Sequence, residues 1–288
     1  MTAPAGTGIV DAHQHVWDLS ARPQPWLELP GHEPLLRDYS EADLKPLAAA
    51  AGVTATVVVQ TVADSAETAE LLALANASDL VAAVVGWTDL EAPGVADTLA
   101  GVRENRDGGA LRGIRHPVLA EPDPDWLRRP AVLAGLAAVG AAGLCYDLVI
   151  QAALLPAAVE AAAASPGTLF VLDHLGNPST GSGPEERWMT DLGRLARLPN
   201  TVCKLSGLLA EPPPPGRAGA GHLVPFYETA LAAFGPGRLM FGSDWPVCTL
   251  GSPYDRVVAA ARMLTAGLSP PERAEVFAGT ARRVYRLG

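Results

Sequence analysis

The chain of 288 residues is 49% hydrophobic and 18% charged, and its formal net charge is -10 at pH 7. This length and apolar content are sufficient for one large domain with a closed core, and we expect a single domain over residues 1–288. Because a nucleic-acid-binding surface needs clustered lysines and arginines, the acidic balance argues against a nucleic-acid partner.

The sequence predicts a cytoplasmic protein without a membrane partner. Its first residues lack the basic and apolar segments of a secretion signal, and no apolar stretch approaches the roughly 20 residues that span a bilayer. The three cysteines (Cys145, Cys203 and Cys248) lie far apart in apolar segments, which is typical of buried, reduced thiols. A homo-oligomer is compatible with this composition.

Short apolar segments alternate with Ala- and Leu-rich segments of helical periodicity along the chain. Long apolar strands without a polar face suit a parallel sheet covered by helices, so eight such β–α units predict a (β/α)8 TIM barrel. The predicted strands are 9–15, 54–60, 80–87, 111–116, 144–150, 169–174, 201–205 and 239–242. The predicted helices are 66–77, 94–104, 126–139, 155–164, 185–198, 222–234, 253–264 and 270–285.

Three long loops follow predicted strands and are candidate lids, because such loops lie on the face of a barrel that carries the chemistry. They cover residues 17–39, 176–186 and 211–221, the last with four consecutive prolines, for which a Gly/Pro-rich connector is the alternative. The glycine-rich phosphate loops of nucleotide-binding proteins and the Gly-x-Ser-x-Gly elbow of serine esterases are both missing from the sequence.

The first predicted strand carries His13 and His15, which point to the same face, with Asp11 behind them. Two adjacent imidazoles can chelate a divalent metal or hold a polar group of a substrate. The alternative is an exposed or hydrogen-bonded pair without a ligand. A second feature supports the functional interpretation, because the apolar segment 239–242 near the end of the chain leads to the carboxylate of Asp244.

Polar residues at the carboxyl ends of the other strands are further candidates, because aliphatic side chains fill the interior of such a barrel. Arg112 and Arg115 have opposite strand parity, so we expect Arg115 to face the site and Arg112 to lie below it or to pair with a carboxylate. Asp173 and His174 also alternate. We expect His174 in the site and Asp173 paired with a neighbouring strand or a helix end.

Several candidates have a structural alternative of similar weight. Asp147 and Lys204 could each be a structural ion-pair partner or part of a functional site. Trp17, Trp87 and Trp245 suit either core packing or the apolar walls of a small-molecule pocket.

Four motifs resemble those of the amidohydrolase superfamily, and they occur in the same order from Val10 to the last helix. They are His-Gln-His-Val-Trp at 13–17, Leu-Arg-Gly-Ile-Arg at 111–115, Leu-Asp-His-Leu-Gly at 172–176 and Phe-Gly-Ser-Asp-Trp-Pro at 241–246. Within the superfamily they are most similar to the lactonase branch that includes L-fuconolactonase, L-rhamnonolactonase and 2-pyrone-4,6-dicarboxylate lactonase.

The resemblance implies a distorted (β/α)8 barrel that opens the ring of a sugar-acid lactone of the L-fucono or L-rhamnono type. Asp244 would be the general base for water, and His13, His15 and His174 would polarise the carbonyl directly or through one divalent ion, zinc or manganese. If an ion binds, His13 and His15 would be ligands, completed by His174 or Asp244. The resemblance also implies that Arg112, Arg115 and Tyr146 bind the small-molecule substrate.

The chain departs from the superfamily in one respect. Binuclear members bridge two metals with a carboxylated lysine on a central strand, and Lys204 comes too late in the order to serve. We therefore expect at most one metal, with metal-free catalysis as the alternative. Other functions consistent with these residues are a metal-dependent decarboxylase of the same superfamily, a 2-pyrone-dicarboxylate-type lactonase and a non-catalytic ligand-binding barrel.

Overall fold

The predicted strands form one parallel sheet whose neighbours follow the order of the chain. The computed structural model describes residues 8–104, 108–181, 183–210 and 220–288, and within these ranges the sheet has eight strands. They are β1 (Ile9–Gln14), β2 (Val53–Val59), β3 (Val81–Gly86), β4 (Leu111–His116), β5 (Cys145–Leu148), β6 (Leu169–Leu172), β7 (Thr201–Leu205) and β8 (Leu239–Phe241).

The barrel closes between β1 and the residues that follow β8. Gln14 and Trp245 form a parallel bridge. The amide of His15 donates to the carbonyl of Trp245 at 2.7 Å, and the amide of Asp244 donates to the carbonyl of His13 at 2.8 Å. Register shifts between the first four strands make this half of the barrel irregular. The predicted (β/α)8 TIM barrel is therefore confirmed, including its distortion.

Helices cover the outside of the sheet, except the last helix, whose apolar side chains pack against the residues of the barrel interior. In the described ranges they are α1 (Glu41–Ala51), α2 (Ser65–Ala77), α3 (Val95–Glu104), α4 (Pro130–Ala141), α5 (Leu155–Ala164), α6 (Glu186–Ala196), α7 (Val224–Phe234), α8 (Tyr254–Leu264), α9 (Pro270–Ala274) and α10 (Thr280–Tyr285). Two details differ from expectation. Helix α1 was not predicted, and the helix predicted over 270–285 is divided by a π-helical turn, Glu275–Gly279.

Two layers of apolar side chains form the core. Short aliphatic residues fill the barrel interior, and Tyr285 of α10 is completely buried against them. Side chains on the opposite face of each strand pack against the helices. The interior residues contributed by the strands are Val10, Ala12, Val57, Val59, Ala83, Val85, Cys145, Val171, Val202 and Met240.

The first predicted lid, residues 17–39, is attached to the barrel rather than extended from it. Trp17 and Tyr39 form an antiparallel bridge at its base. Arg22 fastens its middle to α2, with 2.7 Å from Nε to Asp64 and 2.6 Å from Nη1 to Glu70. Of the lid predicted at 211–221, residues 211–219 lie outside the described ranges.

The remaining composition-based expectations concern cysteines and membranes. All three cysteines are buried and free, as predicted. Among the described helices, none combines the length and apolarity that a membrane crossing requires.

Candidate functional site

Three histidines and one aspartate from distant parts of the chain meet at the carboxyl end of the barrel. His13 Nε2 lies 3.1 Å from His15 Nε2, and both rings approach Asp244 Oδ1, at 3.6 and 3.5 Å. His174 Nε2 lies 3.9 Å from the same oxygen. All four side chains are buried. We call these four residues the histidine–aspartate cluster.

Unusual backbone conformations direct two members into the cluster. His174 has φ of 54° and Asp244 has φ of 60°, in the left-handed region that disfavours residues with a Cβ atom. At His174 this conformation ends the alternation of β6, so that Asp173 and His174 both face the interior. Gly207 packs against the His174 ring so closely that a Cβ atom there would lie 2.5 Å from the ring's Cγ.

Hydrogen bonds orient the imidazoles. His15 Nδ1 lies 2.7 Å from the carbonyl oxygen of Val59. Because a carbonyl only accepts, His15 carries its proton on Nδ1 and directs the Nε2 lone pair into the cluster. His174 Nδ1 is held 2.8 Å from the hydroxyl of Ser206. The Nε2 atoms therefore converge on Asp244.

The protonation states follow from burial and from neighbouring charges. Burial, followed by repulsion from the Lys204 ammonium, holds the pKa of His13 well below its usual value. Burial also lowers the pKa of His174. For Asp244, burial favours the neutral acid, but the surrounding imidazoles outweigh it and lower the pKa below the ordinary range. At neutral pH the Asp244 carboxylate thus faces the neutral imidazoles of His13 and His174.

A buried ion network lies directly behind His13. Lys204 Nζ is 2.5 Å from Asp147 Oδ2, 3.0 Å from Asp173 Oδ1 and 3.0 Å from His13 Nδ1. The Tyr285 hydroxyl also donates to Asp147, at 2.8 Å. Burial opposes the charge on Lys204, but the two carboxylates prevail and raise its pKa. Lys204 and Asp147 were each expected as a possible ion-pair partner, but neither their pairing with each other nor their position behind His13 was predicted.

Arg115 reaches the cluster, whereas Arg112 does not. Arg115 Nη1 lies 3.3 Å from His13 Nε2 and 3.3 Å from Asp173 Oδ2, and its Nη2 donates to the carbonyl of Gln60. On the opposite face of β4, Arg112 donates to the carbonyl of Gly109 at 2.5 Å, at the amino end of the strand. Arg115 thus faces the interior, as its strand parity predicted, and Arg112 does not reach the cluster.

The structure also separates the aromatic candidates. Tyr146 lies on the outer face of β5, with its ring centroid 5.9 Å from that of Phe170. Contrary to expectation, its hydroxyl is therefore not directed into the cluster. Trp17 and Trp245 both pack against Tyr39 in the aromatic core beneath the first loop. Trp87 follows β3 and is only partly buried, which leaves it as the wall candidate.

Asp11 joins the two ends of the barrel behind the cluster. Its Oδ1 accepts from the amide of Ser243 at 2.7 Å and from the amide of His13 at 3.2 Å, and its Oδ2 accepts from the Tyr254 hydroxyl at 3.0 Å. Sequence reasoning placed Asp11 behind the histidines but missed its link to β8. Tyr254 carried no signal, because a tyrosine at a helix start is common.

The donor set of the cluster fits a single divalent ion. Ligand atoms of His13, His174 and Asp244 lie within 4.8 Å of one another. In a tetrahedral zinc site with bonds of 2.0–2.2 Å, ligand atoms are roughly 3.3–3.6 Å apart. The separations among His13, His15 and Asp244, from 3.1 to 3.6 Å, are close to that range. Imidazole nitrogens with one carboxylate oxygen are also ligands that zinc prefers.

Comparisons with known proteins agree with this geometry. A family model described as Amidohydrolase matches residues 10–287. The chain is 40% identical over 290 residues to L-fucono-1,5-lactonase of Burkholderia multivorans, with 96% of each chain covered. It is 34% identical to L-fucono-1,5-lactonase of Burkholderia ambifaria, with 96% of this chain and 95% of the relative covered.

Solved structures lead to the same group. The crystal structure of an amidohydrolase from Burkholderia multivorans with bound zinc is similar at a TM-score of 0.89 and 38% identity. The match covers 98% of this chain and all of that one. The chain therefore belongs to the amidohydrolase family.

Proposed function

We propose that this protein hydrolyses the ring ester of a sugar-acid lactone. The observation that carries the proposal is the ionised Asp244 carboxylate, held within 3.9 Å of three imidazole Nε2 atoms. This geometry occurs in a chain that is 40% identical to an L-fucono-1,5-lactonase, so we take L-fucono-1,5-lactone as the leading substrate. On this proposal, the partner of the protein is a small-molecule lactone, its substrate.

Hydrolysis of a lactone adds water to the carbonyl carbon, breaks the ring C–O bond and returns a proton to the departing oxygen. Asp244 accepts the proton from water, because its carboxylate is ionised and lies at the mouth of the barrel. A carboxylate of depressed pKa is a weak base for free water. The reaction therefore needs strong stabilisation of the negative charge that develops on the carbonyl oxygen, where one good donor contributes about 2.7–4 kcal/mol.

Arg115 is the protein group best placed to supply positive charge near the carbonyl oxygen of the lactone. Its guanidinium borders His13 and is itself held by Asp173 and by the carbonyl of Gln60. A guanidinium fixed in this way requires little reorganisation as charge develops on the substrate. We assign Arg115 to the oxygen-rich side of the lactone.

The same cluster is suited to hold a metal ion. His13, His15, His174 and Asp244 would hold one divalent ion such as zinc, and when bound the ion would supply Lewis-acid polarisation of a carbonyl and acidification of water. The lone pair of His15 is already directed to the centre of the cluster, because the Val59 carbonyl fixes its tautomer.

The proposal is tested with a panel of aldono-1,4- and aldono-1,5-lactones in a weakly buffered solution containing a pH indicator. We expect acid release above the spontaneous rate for at least one lactone, without release of carbon dioxide. Asp244→Asn protein, prepared in parallel, is the matched control. Folded, zinc-loaded protein that accelerates none of the lactones would contradict the proposal, and carbon dioxide release from an aromatic acid would favour a decarboxylase.

A further inference from the structure

Four side chains at and after the carboxyl ends of β3 and β4 form a network, at the same end of the barrel as the histidine–aspartate cluster. The indole Nε1 of Trp87 lies 2.9 Å from His116 Nδ1, and His116 Nε2 lies 2.7 Å from Glu121 Oε1. The His116 ring is stacked on Trp126, with centroids 4.3 Å apart and planes at 11°. His116 is therefore held on both edges and on one face.

The chemistry of the indole fixes the tautomer of His116. An indole N–H only donates, so His116 Nδ1 must accept and Nε2 must carry the proton. The Nε2–H group then donates to the Glu121 carboxylate, a charge-assisted hydrogen bond. The direction of both bonds is determined, and the Trp87 ring is fixed relative to β4.

The same network ties together the loops that follow β3 and β4. Trp126 Nε1 donates to Glu91 at 3.1 Å, and Arg129 donates to the same carboxylate at 3.1 Å. Glu91 belongs to the loop after β3, whereas Trp126 and Arg129 lie between β4 and α4. Cross-links of this kind limit the movement of Trp87.

Trp87 directly follows Gly86, the last residue of β3, at the end of the barrel that carries the cluster. Ala83 and Val85 of β3 face the interior. Continued alternation would direct Trp87, one residue beyond the end of the strand, to the same side. Gly86 pairs with Ile114, so Trp87 lies beside Arg115 on the neighbouring strand. Arg115 in turn contacts His13. We expect an indole with this side-chain direction to border the space in front of the cluster.

We infer that His116 is the positioning residue that holds Trp87 as an apolar wall for the substrate ring. The inference rests on the proposed function, because the C–H face of a sugar-acid lactone is the surface that an indole packs against. Arg115 would bind polar oxygens while Trp87 contacts the apolar face, so that the ester carbonyl is presented to Asp244. His116 acts through Trp87 and does not touch the substrate.

The test uses two substitutions at one position. His116→Phe keeps the stack on Trp126 but removes both hydrogen bonds, whereas His116→Asn restores an acceptor near the Nδ1 position. We expect His116→Phe to raise KM for L-fucono-1,5-lactone roughly fivefold with little change in kcat, the effect of losing the one hydrogen bond that holds Trp87. His116→Asn should recover most of the affinity.

A double variant distinguishes an effect through Trp87 from a nonspecific disturbance of the structure. In Trp87→Phe protein, His116→Phe should cause no further rise in KM, because the group on which it acts is gone. The matched control is His32→Phe, since His32 also contacts a tryptophan, with Nδ1 2.9 Å from the Trp26 carbonyl, but lies in the first loop. We expect this control to keep the wild-type KM.

The outcomes distinguish the two proposals. Wild-type protein that hydrolyses no lactone contradicts the proposed function, and this inference falls with it. If the wild type is active but His116→Phe keeps its KM, the inference alone is wrong. It is also wrong if His116→Phe raises KM as strongly in Trp87→Phe protein as in the wild type.

Discussion

Lys204 Nζ lies 2.5 Å from Asp147 Oδ2, and neither side chain has any exposed surface. A second carboxylate, Asp173, lies 3.0 Å from the same ammonium. Transfer of these charges from water is costly, and only their mutual attraction and hydrogen bonds offset that cost. The network is therefore vulnerable to the loss of any one member.

We predict that Lys204→Met lowers the free energy of unfolding by about 3–5 kcal/mol, because it leaves buried carboxylates without their cation. Chemical denaturation at neutral pH measures the change. The control is Lys45→Met, which removes an exposed ammonium that pairs with Asp79 at the surface. We expect little effect there, since solvent screens such pairs. Equal losses of unfolding free energy in the two variants would show that the buried network contributes no more to stability than an exposed ion pair.

Asp244→Asn should lower kcat for the best lactone by roughly 10²- to 10⁴-fold, the contribution of a positioned general base. The amide keeps the shape of the carboxylate, so we expect the variant to remain folded. Initial rates and thermal unfolding, measured on the same preparation, check both statements. Undiminished turnover would remove Asp244 from the role of base.

The stability of metal-free protein should decrease as the pH falls below about 6.5. His13 and His174 have lowered pKa values in the folded chain, whereas an unfolded histidine titrates near 6.5. The unfolded state then binds more protons below that pH, so the stabilisation present at higher pH is lost. Unfolding of chelated protein between pH 8 and pH 5 measures the slope. His174→Asn should make the slope shallower, and an unchanged slope would contradict this assignment.

Zinc should raise the unfolding temperature of chelated wild-type protein, because an ion that binds only the folded state stabilises it, by about 2.7 kcal/mol at 100 times its Kd. His15→Asn should weaken zinc binding by more than roughly tenfold, since it removes a nitrogen that is already oriented. His32→Asn is the control and should keep the affinity. Equal zinc affinity in the two variants would exclude His15 as a ligand.

The sequence predicted the barrel well because each strand is a short apolar segment followed by a helical one. Helix α1 escaped prediction because Pro46 lies inside it, although Ser40 and Asp43 form a capping box at its start. Prediction by strand parity succeeded at β4, where it selected Arg115. Pairing of Asp173 with a neighbouring strand was also expected, and Lys204 on β7 is its partner.

Parity failed where the backbone leaves the extended conformation. Asp173 and His174 were expected on opposite faces, but the positive φ of His174 directs both inward. Tyr146 was a candidate because of its chemistry, yet its position on β5 directs it to the helices. Such outcomes depend on local dihedral angles and on strand faces, which residue types alone do not determine.

The bridge between Gln14 and Trp245, reinforced by Asp11, has a consequence for how this molecule can vary. The hydrogen bonds that join the two ends of the barrel are made by the same short backbone segments that carry His13, His15 and Asp244. A change that separates these ends would therefore displace the reactive groups at once. Substrate preference should therefore vary more easily on the β3 and β4 side, where Arg115 and Trp87, the groups that we propose contact the ligand, take no part in closing the barrel.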